Sequence, residues 1–330
     1  MIITRTPLRI SFFGGGTDLP AWYRQRGGAV LSTTIDKYSY ISIRKLPPFF
    51  EYKHKIVFFS KHEEFNEIDE IRHPAVREVY RFMGIKEGLI MHHDSDLPSL
   101  SGLGSSSAFT VGLLHALYAL QGKIVTKKRL ALEAIHIEQE MIREAVGSQD
   151  QMAAAFGGLN KIDFSRQNNI EIIPITISRE KLSYLQSHLM LFFTGFARYG
   201  QEIESDKIKR ISENEKLLYE MHRMVDKAVL ILNGDTSGYD YLGSLLHEAW
   251  QFKKGLSDKV STDFIDEVYK RAINAGALGG KILGAGGGGF IMFYVPIENQ
   301  QRVRETLNDL LYVPFRFDTL GSQIIYYTAD

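Results

Sequence analysis

Residues 94–120 read D-S-D-L-P-S-L-S-G-L-G-S-S-S-A-F-T-V-G-L-L-H-A-L-Y-A-L, and the rest of the chain is organised around this stretch. The short apolar run Leu89 to Met91 precedes it and predicts a buried strand. Residues 98–107 are rich in Gly and Ser and predict a loop. From Ser107 to Leu120 the apolar residues recur at helical spacing. The predicted order is therefore strand, loop, helix.

This order builds a site for an anion. The first N–H groups of a helix have no partner within the helix, and the helix dipole adds positive charge there. Gly102 and Gly104 have no Cβ, so the backbone can close around a phosphate. Gly and Ser are also ordinary loop and N-cap residues, so a plain loop remains the alternative. The stretch has neither the Walker A spacing nor the dinucleotide fingerprint.

Composition narrows the class of protein. The chain has 330 residues, 44% hydrophobic and 24% charged, which is typical of about two globular domains. Lys plus Arg and Asp plus Glu number 39 each, and this neutrality argues against bulk binding to nucleic acid or to an acidic membrane. The chain contains no cysteine, which excludes disulfides and thiolate catalysis. Since no apolar run approaches a membrane span and no signal peptide is recognisable, we expect a soluble, cytoplasmic protein.

Three segments, in order along the chain, carry a resemblance to a known family. Residues 98–108, P-S-L-S-G-L-G-S-S-S-A, resemble the nucleotide-phosphate loop of the GHMP kinases. Residues 5–18, R-T-P-L-R-I-S-F-F-G-G-G-T-D, resemble the family's substrate motif, and residues 281–290, K-I-L-G-A-G-G-G-G-F, its C-terminal glycine motif. The resemblance implies an α+β protein with the two-domain GHMP kinase α/β fold. Residues 1–177 would resemble the second domain of ribosomal protein S5, and residues 178–330 would be ferredoxin-like.

The resemblance also implies ligands for the loop, namely ATP and Mg²⁺. The predicted ATP-binding residues are Ser101, Gly102, Leu103, Gly104, Ser105, Ser106 and Ser107. Ser106 would share the magnesium ion with Glu138, and Glu140 is the rival position for the carboxylate. A solvated helix face is the alternative interpretation for both glutamates. One carboxylate, one hydroxyl and phosphate oxygens would suit Mg²⁺, which prefers oxygen ligands.

Asp150 is the predicted catalytic base. It follows Gly147 in G-S-Q-D-Q, near the start of a predicted short helix, where a carboxylate also stabilises the helix dipole. The segment resembles the one that holds the catalytic aspartate in sugar-type members of the family. A carboxylate there can accept the proton of an attacking hydroxyl. Arg9 is the second predicted catalytic residue, near the reacting oxygen and phosphate.

The predicted substrate-binding residues come from both halves of the chain. In the family the aspartate of the N-terminal motif hydrogen-bonds sugar hydroxyls, and a carboxylate suits this because it accepts two donors at once. An edge-strand arginine and an Asx-turn aspartate are the ordinary interpretations of this motif. Arg198 follows a predicted strand and would face the cleft, or it is a surface arginine. The predicted substrate-binding set is Gly15, Gly16, Thr17, Asp18, Arg198, Gly286 and Gly287.

The implied reaction is ATP-dependent phosphoryl transfer to a sugar. Residues 12–23, F-F-G-G-G-T-D-L-P-A-W-Y, are most similar to the family's heptose 7-phosphate branch, which implies O1 of D-glycero-α-D-manno-heptose 7-phosphate as acceptor. A fucose or galactose 1-kinase is the alternative enzyme, and an ATP- and sugar-binding sensor is the alternative class. We expect a small sugar phosphate as partner, no nucleic acid and no membrane, and a homo-oligomer is left open.

The remaining pattern predicts the secondary structure. Residues 2–13 alternate and predict a strand, and residues 30–34 and 38–43 predict a hairpin that turns at Asp36 and Lys37. The second half predicts three helical stretches, at 201–232, 239–254 and 263–275. Residues 282–295 predict a strand, a glycine loop and a second strand.

Overall fold

The alternating residues at the N-terminus form the strand on which the first sheet is built. A computed structural model describes residues 1–58, 61–195 and 200–328. In it the strands are β1 (Ile2–Phe13), β2 (Gly28–Lys45), β3 (His54–Phe58), β4 (Lys61–Phe65), β5 (Leu89–Ser95), β6 (Asn160–Phe164), β7 (Ile170–Pro174), β8 (Leu189–Phe193), β9 (Gly279–Ile282), β10 (Phe290–Tyr294), β11 (Leu311–Tyr312), β12 (Phe317–Asp318) and β13 (Gln323–Tyr327). β1 pairs with β2 along nearly its whole length.

Helices cover the sheets and separate the strands along the chain. They are α1 (Pro20–Arg26), α2 (Pro74–Phe82), α3 (Ser105–Leu120), α4 (Lys127–His136), α5 (Gln149–Phe156), α6 (Arg179–Ser187), α7 (Gly200–Lys209), α8 (Glu215–Asn233), α9 (Asp240–Gly255), α10 (Asp263–Asn274) and α11 (Gln300–Thr306). The predicted helix 201–232 is two helices, α7 and α8. Across the described ranges, no helix is both long and apolar enough to cross a bilayer.

The predicted hairpin at Asp36 and Lys37 is wrong. β2 runs without a turn from Gly28 to Lys45, and the β1–β2 register shifts where Pro7 faces Tyr38 and Leu8 faces Ile35. Asp36 and Lys37 are therefore extra residues within one long strand. The Asp36 N–H donates to Arg316 O, and Asp36 Oδ1 accepts from the Arg316 N–H. The polar pair that resembled a turn instead binds a later segment of the chain.

The described strands form two sheets, which are antiparallel except for one pair of strands. The first sheet has the core order β13-β1-β2-β5-β3-β4, with β6, β7 and β12 attached through β2, and only β3 and β5 run parallel. The second sheet has the order β11-β8-β10-β9. β12 and β13 pair with β2 and β1, so the chain returns to the first sheet after completing the second. The first sheet thus contains strands from both sides of the predicted division at residue 177.

The predicted order of strand, loop and helix around residues 94–120 is confirmed. β5 ends at Ser95, and α3 begins at Ser105 after Gly104, whose φ is 74°. α3 is buried over most of its surface and packs on β1 and β2. The loop before it is held down by the C-terminal glycine motif, because the N–H of Phe290 donates to Ser101 O at 3.1 Å.

Gly102 makes one of the close contacts between this loop and the glycine motif. Its φ is +86°, and a Cβ added there would lie 2.5 Å from the carbonyl oxygen of Leu283. We expect Gly102→Ala to destabilise the protein by about 2–3 kcal/mol, because a left-handed backbone and an overpacked contact each disfavour a side chain. The measurement is chemical denaturation.

Gly122 supplies the matched control for this prediction. It also has a positive φ, +66°, but no atom lies within 4 Å of a Cβ added there. Gly122→Ala should therefore show only the backbone penalty, about 1 kcal/mol. Equal losses in the two variants would contradict the close packing of the loop on the glycine motif.

Candidate active site

A cavity of about 470 Å³ lies where the two sheets' loops meet. The phosphate loop, the N-terminal glycine turn, the start of α5, part of α7 and the C-terminal glycine motif all contribute to its wall. Four basic side chains, from Arg9, Lys207, Lys253 and Lys281, line it as well. The cavity thus collects the three motifs that lie far apart in sequence.

The residues of the predicted ATP loop divide into two groups. Gly102, Gly104 and Ser105 to Ser107 line the cavity, and the helix start has no side-chain cap. Its first N–H groups therefore remain available for an anion. Ser101 and Leu103 are buried beneath the loop. The Ser101 hydroxyl donates to Pro98 O, and Leu103 O accepts from the Arg9 N–H, so both hold the loop in shape.

Arg9 and Asp150 form a two-pronged ion pair at the centre of the cavity. Arg9 Nε and Nη2 each donate to one oxygen of the Asp150 carboxylate, at 2.7 Å. Arg9 Nη1 donates to Gly102 O at 2.6 Å. The arginine is buried in β1, whereas about a quarter of the Asp150 side chain, 23%, is exposed. One guanidinium therefore fixes both the carboxylate and the phosphate loop, and it leaves the carboxylate accessible.

Asp18 is a second carboxylate that lines the cavity, close enough for the charge of Asp150 to act on it. Its Oδ1 accepts from the Gly16 N–H at 2.8 Å, and its backbone oxygen accepts from the Ser148 N–H. Burial raises the pKa of this carboxyl to about 6, and the negative charge of Asp150 adds to the effect. Since Gly16 and Asp18 both line the cavity, a polar ligand can reach this carboxylate.

The other predicted substrate residues have different surroundings. Gly15 and Gly286 line the cavity. Thr17 is buried, and its hydroxyl donates to Gly14 O and Ala29 O, so it supports the turn. The Gly287 N–H donates to Val260 O and likewise shapes its loop. Arg198 lies outside the described residues.

Glu138 is the predicted metal ligand, and its surroundings suit a cation. It is fully buried, and its Oε2 accepts from Ser107 Oγ at 2.9 Å and from Gln151 Nε2 at 2.5 Å. Its Oε1 is buried without a hydrogen-bond partner. Burial raises the pKa of Glu138 to about 7. An orphaned carboxylate oxygen beside a hydroxyl is the kind of oxygen donor that Mg²⁺ takes.

Glu138 and its rival Glu140 have different surroundings, and the serine that contacts Glu138 is not the predicted one. Glu140 is exposed, whereas Glu138 is buried and hydrogen-bonded to Ser107, which lines the cavity; neither glutamate lines the cavity itself. The hydroxyl that contacts Glu138 belongs to Ser107, whereas the predicted Ser106 is exposed on the cavity wall. No cluster of three or more His, Asp or Glu suited to a metal exists within residues 1–58, 61–195 and 200–328. A metal here would depend on phosphate oxygens for most of its ligands.

Sequence reasoning missed three residues of this site, Lys207, Lys253 and Lys281. Lys281 is the first residue of the glycine motif, and this position was the one sequence signal that it belongs to the site. Lys207 and Lys253 lie on helices, where a lysine ordinarily marks a solvated face. Nothing in the local pattern distinguishes them from their exposed neighbours.

Two family models match this chain, one in each half. Residues 71–158 match the model of the GHMP kinases N terminal domain, and residues 228–313 match that of the GHMP kinases C terminal. The chain is 32% identical over 308 residues to the D-glycero-alpha-D-manno-heptose 7-phosphate kinase of Campylobacter jejuni, with 89% of each chain covered.

Solved structures share the fold. A D-glycero-D-manno-heptose 1-phosphate kinase from Bacteriodes thetaiotaomicron superimposes with a TM-score of 0.80 over the whole of both chains, at 23% identity. A putative sugar kinase from Campylobacter jejuni has a TM-score of 0.71, 28% identity and 98% coverage of both chains. The predicted two-domain fold, with its mixture of helices and sheets, is confirmed.

Proposed function

Since the chain belongs to the GHMP kinase family, we propose that it transfers the γ-phosphate of ATP to O1 of D-glycero-α-D-manno-heptose 7-phosphate. That it is a sugar kinase, a phosphotransferase with an alcohol group as acceptor, follows from its relatives. ATP is the phosphoryl donor that the family uses. The particular acceptor is the proposal, and it is supported by the heptose 7-phosphate kinase of Campylobacter jejuni.

The observation that carries the proposal is the Arg9–Asp150 pair beneath the phosphate loop. In the proposed reaction Asp150 accepts the proton of the sugar O1–H as that oxygen attacks the γ-phosphorus. The O1–P bond forms, the bond from the γ-phosphorus to the bridging oxygen breaks, and ADP leaves. Arg9 orients the carboxylate through two hydrogen bonds and stabilises the charge that develops on the phosphoryl group.

The phosphate loop and Glu138 would serve the nucleotide. The helix N-terminus at Ser105 to Ser107 and the backbone of Gly102 and Gly104 suit the phosphates. Glu138, with a loop hydroxyl from Ser106 or Ser107, would hold Mg²⁺. When bound, Mg²⁺ neutralises charge on the phosphate oxygens.

Asp18 would hold the acceptor, supported by the turn at Gly15, Gly16 and Thr17. A carboxylate can accept two sugar hydroxyls at once. Asp18 and Asp150 line the same cavity, so a sugar held at Asp18 can direct its O1 toward Asp150. Arg198 stays a candidate for the same site from the sequence alone.

The substrate assignment predicts a strong preference among sugars. In an assay coupled to ADP release, kcat/KM for heptose 7-phosphate should exceed that for the unphosphorylated heptose, fucose and galactose by at least about 100-fold, since a terminal phosphate offers two or more charge-assisted hydrogen bonds. Phosphorus NMR of the product should show a new phosphate on the anomeric carbon. Equal values for the phosphorylated and free heptose would move the assignment to a free-sugar kinase.

A pH dependence follows from the burial of Asp18. Because its pKa in the folded protein is about 6, most of the carboxyl is protonated below that pH and accepts fewer hydroxyls. We expect kcat/KM for the sugar to fall on the acid side with a midpoint near pH 6. Asp18→Asn should lower kcat/KM and remove this acid limb. An unchanged limb in Asp18→Asn would assign the titration to another group.

The titration of Asp18 also changes the free energy of unfolding, and it does so in the opposite direction from its effect on activity. Its folded pKa lies above the ordinary 3.8, so the folded protein binds more protons than the unfolded chain between these values. The stability contributed by Asp18 therefore decreases as pH rises from about 4 to 6, while activity increases. Denaturation of wild type and Asp18→Asn across this range separates the two effects.

A further inference from the structure

Three buried lysines converge on one wall of the cavity from three separate elements. Lys207 comes from α7, Lys253 from α9 and Lys281 from β9, and each is at most 6% exposed. All three line the cavity that contains Arg9 and Asp18. Lysine is rarely buried to this degree without a charged partner.

Backbone carbonyl groups hold the three ammonium groups in place. Lys281 Nζ donates to Phe12 O at 3.0 Å, and Lys253 Nζ donates to Ile282 O and Gly284 O at 2.8 and 2.6 Å. Lys207 Nζ donates to Ala285 O and to Glu204, at 2.8 and 2.9 Å. An ammonium group has three N–H donors. At least one donor on each lysine is therefore left for a ligand in the cavity.

The positive charges of this cluster are only partly balanced by the protein, through Glu204 and the nearby Asp18. Asp150 is paired with Arg9, and Glu204 with Lys207. For Lys253 and Lys281 the described part of the chain provides no ion pair within 4 Å. Burial, together with the positive charges of Arg9 and Lys207, lowers the pKa of Lys281 to about 7. The pKa of Lys253 is likewise lowered by burial and by Lys281. An anion between these groups would stabilise their charged forms.

We infer that Lys207, Lys253 and Lys281 form a second anion subsite, which takes the phosphate that the acceptor already carries. This inference rests on the proposed sugar kinase function and adds the residues and the chemistry of its second phosphate, a phosphomonoester dianion. The helix N-terminus of α3 provides a separate site for the nucleotide. Two phosphates at opposite ends of one sugar would then lie in two differently built sites.

The position of the cluster favours the acceptor over the nucleotide. Lys281 bonds to the oxygen of Phe12, just before the turn that presents Asp18, and the charge of Asp18 acts on this lysine. Glu204, the partner of Lys207, acts on Asp18 in turn. A sugar held at Asp18 would therefore share one cavity with Asp150 and with this cluster.

The test compares two acceptors in matched lysine variants. In Lys253→Met and Lys281→Met, the ratio of kcat/KM for heptose 7-phosphate to that for the free heptose should fall about 10- to 100-fold, as expected for one charge-assisted hydrogen bond. KM for ATP should stay near the wild-type value. Lys254→Met is the control, because Lys254 is the next residue on α9 but pairs with Asp266 at the surface. It should leave the ratio unchanged.

A different pattern would overturn the inference. If both acceptors lost activity equally and KM for ATP rose, the lysines would serve the transferred phosphate. Lys207→Met gives the same comparison if either of the other variants fails to fold.

Direct binding separates this inference from the choice of sugar. With the nucleotide site saturated by ADP, titration calorimetry should detect inorganic phosphate binding to the wild type and at least a tenfold weaker affinity in Lys281→Met. Should the wild type phosphorylate no heptose yet show this difference, the subsite stands and the heptose assignment fails. Equal phosphate affinity in wild type and Lys281→Met, or no binding to either, overturns the subsite.

Discussion

Asp150→Asn is expected to lower kcat by about 10²–10⁴-fold while ATP binds with near wild-type affinity, since this range is typical for the loss of a general base. Asparagine has the same shape, so it keeps one hydrogen bond from Arg9 and preserves the cavity. It cannot accept the proton of the attacking hydroxyl. Single-turnover rates and equilibrium binding of a fluorescent ATP analogue measure the two quantities separately.

The control for this variant is Asp163→Asn on β6. Asp163 also forms an ion pair, with Lys161 at 3.2 Å, but it does not line the cavity. It should retain wild-type turnover. If a folded Asp150→Asn protein also turned over at nearly the wild-type rate, Asp150 would not be the base, and the Arg9 pair would have to act by orientation alone.

Glu138→Gln is expected to raise the Mg²⁺ concentration for half-maximal activity by at least about 10- to 100-fold. Substitution of groups that merely orient metal ligands typically has an effect of this size, and a ligand should matter no less. Glutamine retains the size of the side chain and an acceptor for Ser107 and Gln151, so the fold should persist. Binding of Mn²⁺ to the ADP complex, followed by electron paramagnetic resonance, tests the site without turnover.

Glu140→Gln provides the matched comparison, two residues along the chain. Because Glu140 is exposed, its variant should have the wild-type Mg²⁺ requirement and Mn²⁺ affinity. A defect in Glu140→Gln alone would move the metal site to that residue. Wild-type metal binding in both variants would remove the carboxylate from the metal site.

Local pattern predicted the parts of the site that are continuous in sequence. The Gly and Ser content between Pro98 and Ser107, followed by helical spacing, was enough to predict a strand, a loop and a helix. It could not decide which serine faces Glu138. That depends on the rotation of the first turn of α3 against residues 137–141, which form a π-helix after α4. A long-range contact of this kind has no local signal.

Contacts between distant segments account for the remaining differences. Arg9 and Asp150 were each predicted singly, but their pairing spans 141 positions and depends on how α5 packs against β1. Lys207 and Lys253 were missed because they are buried only through the packing of α7 and α9 against the glycine motif. The hairpin error has a similar cause, since Asp36 finds its hydrogen bonds near Arg316 and not in a turn.

The return of β13 to β1 determines the order in which the protein can be assembled. Arg5 and Gln323 are hydrogen-bonded neighbours although they are 318 positions apart. During synthesis the outer edge of β1 therefore stays unpaired until the residues of β13 have left the ribosome. Contacts of such high sequence separation slow folding, and an open strand edge favours aggregation in the meantime. A nascent chain that stops before residue 317 should accordingly require a chaperone, even though most of its cavity residues have already been made.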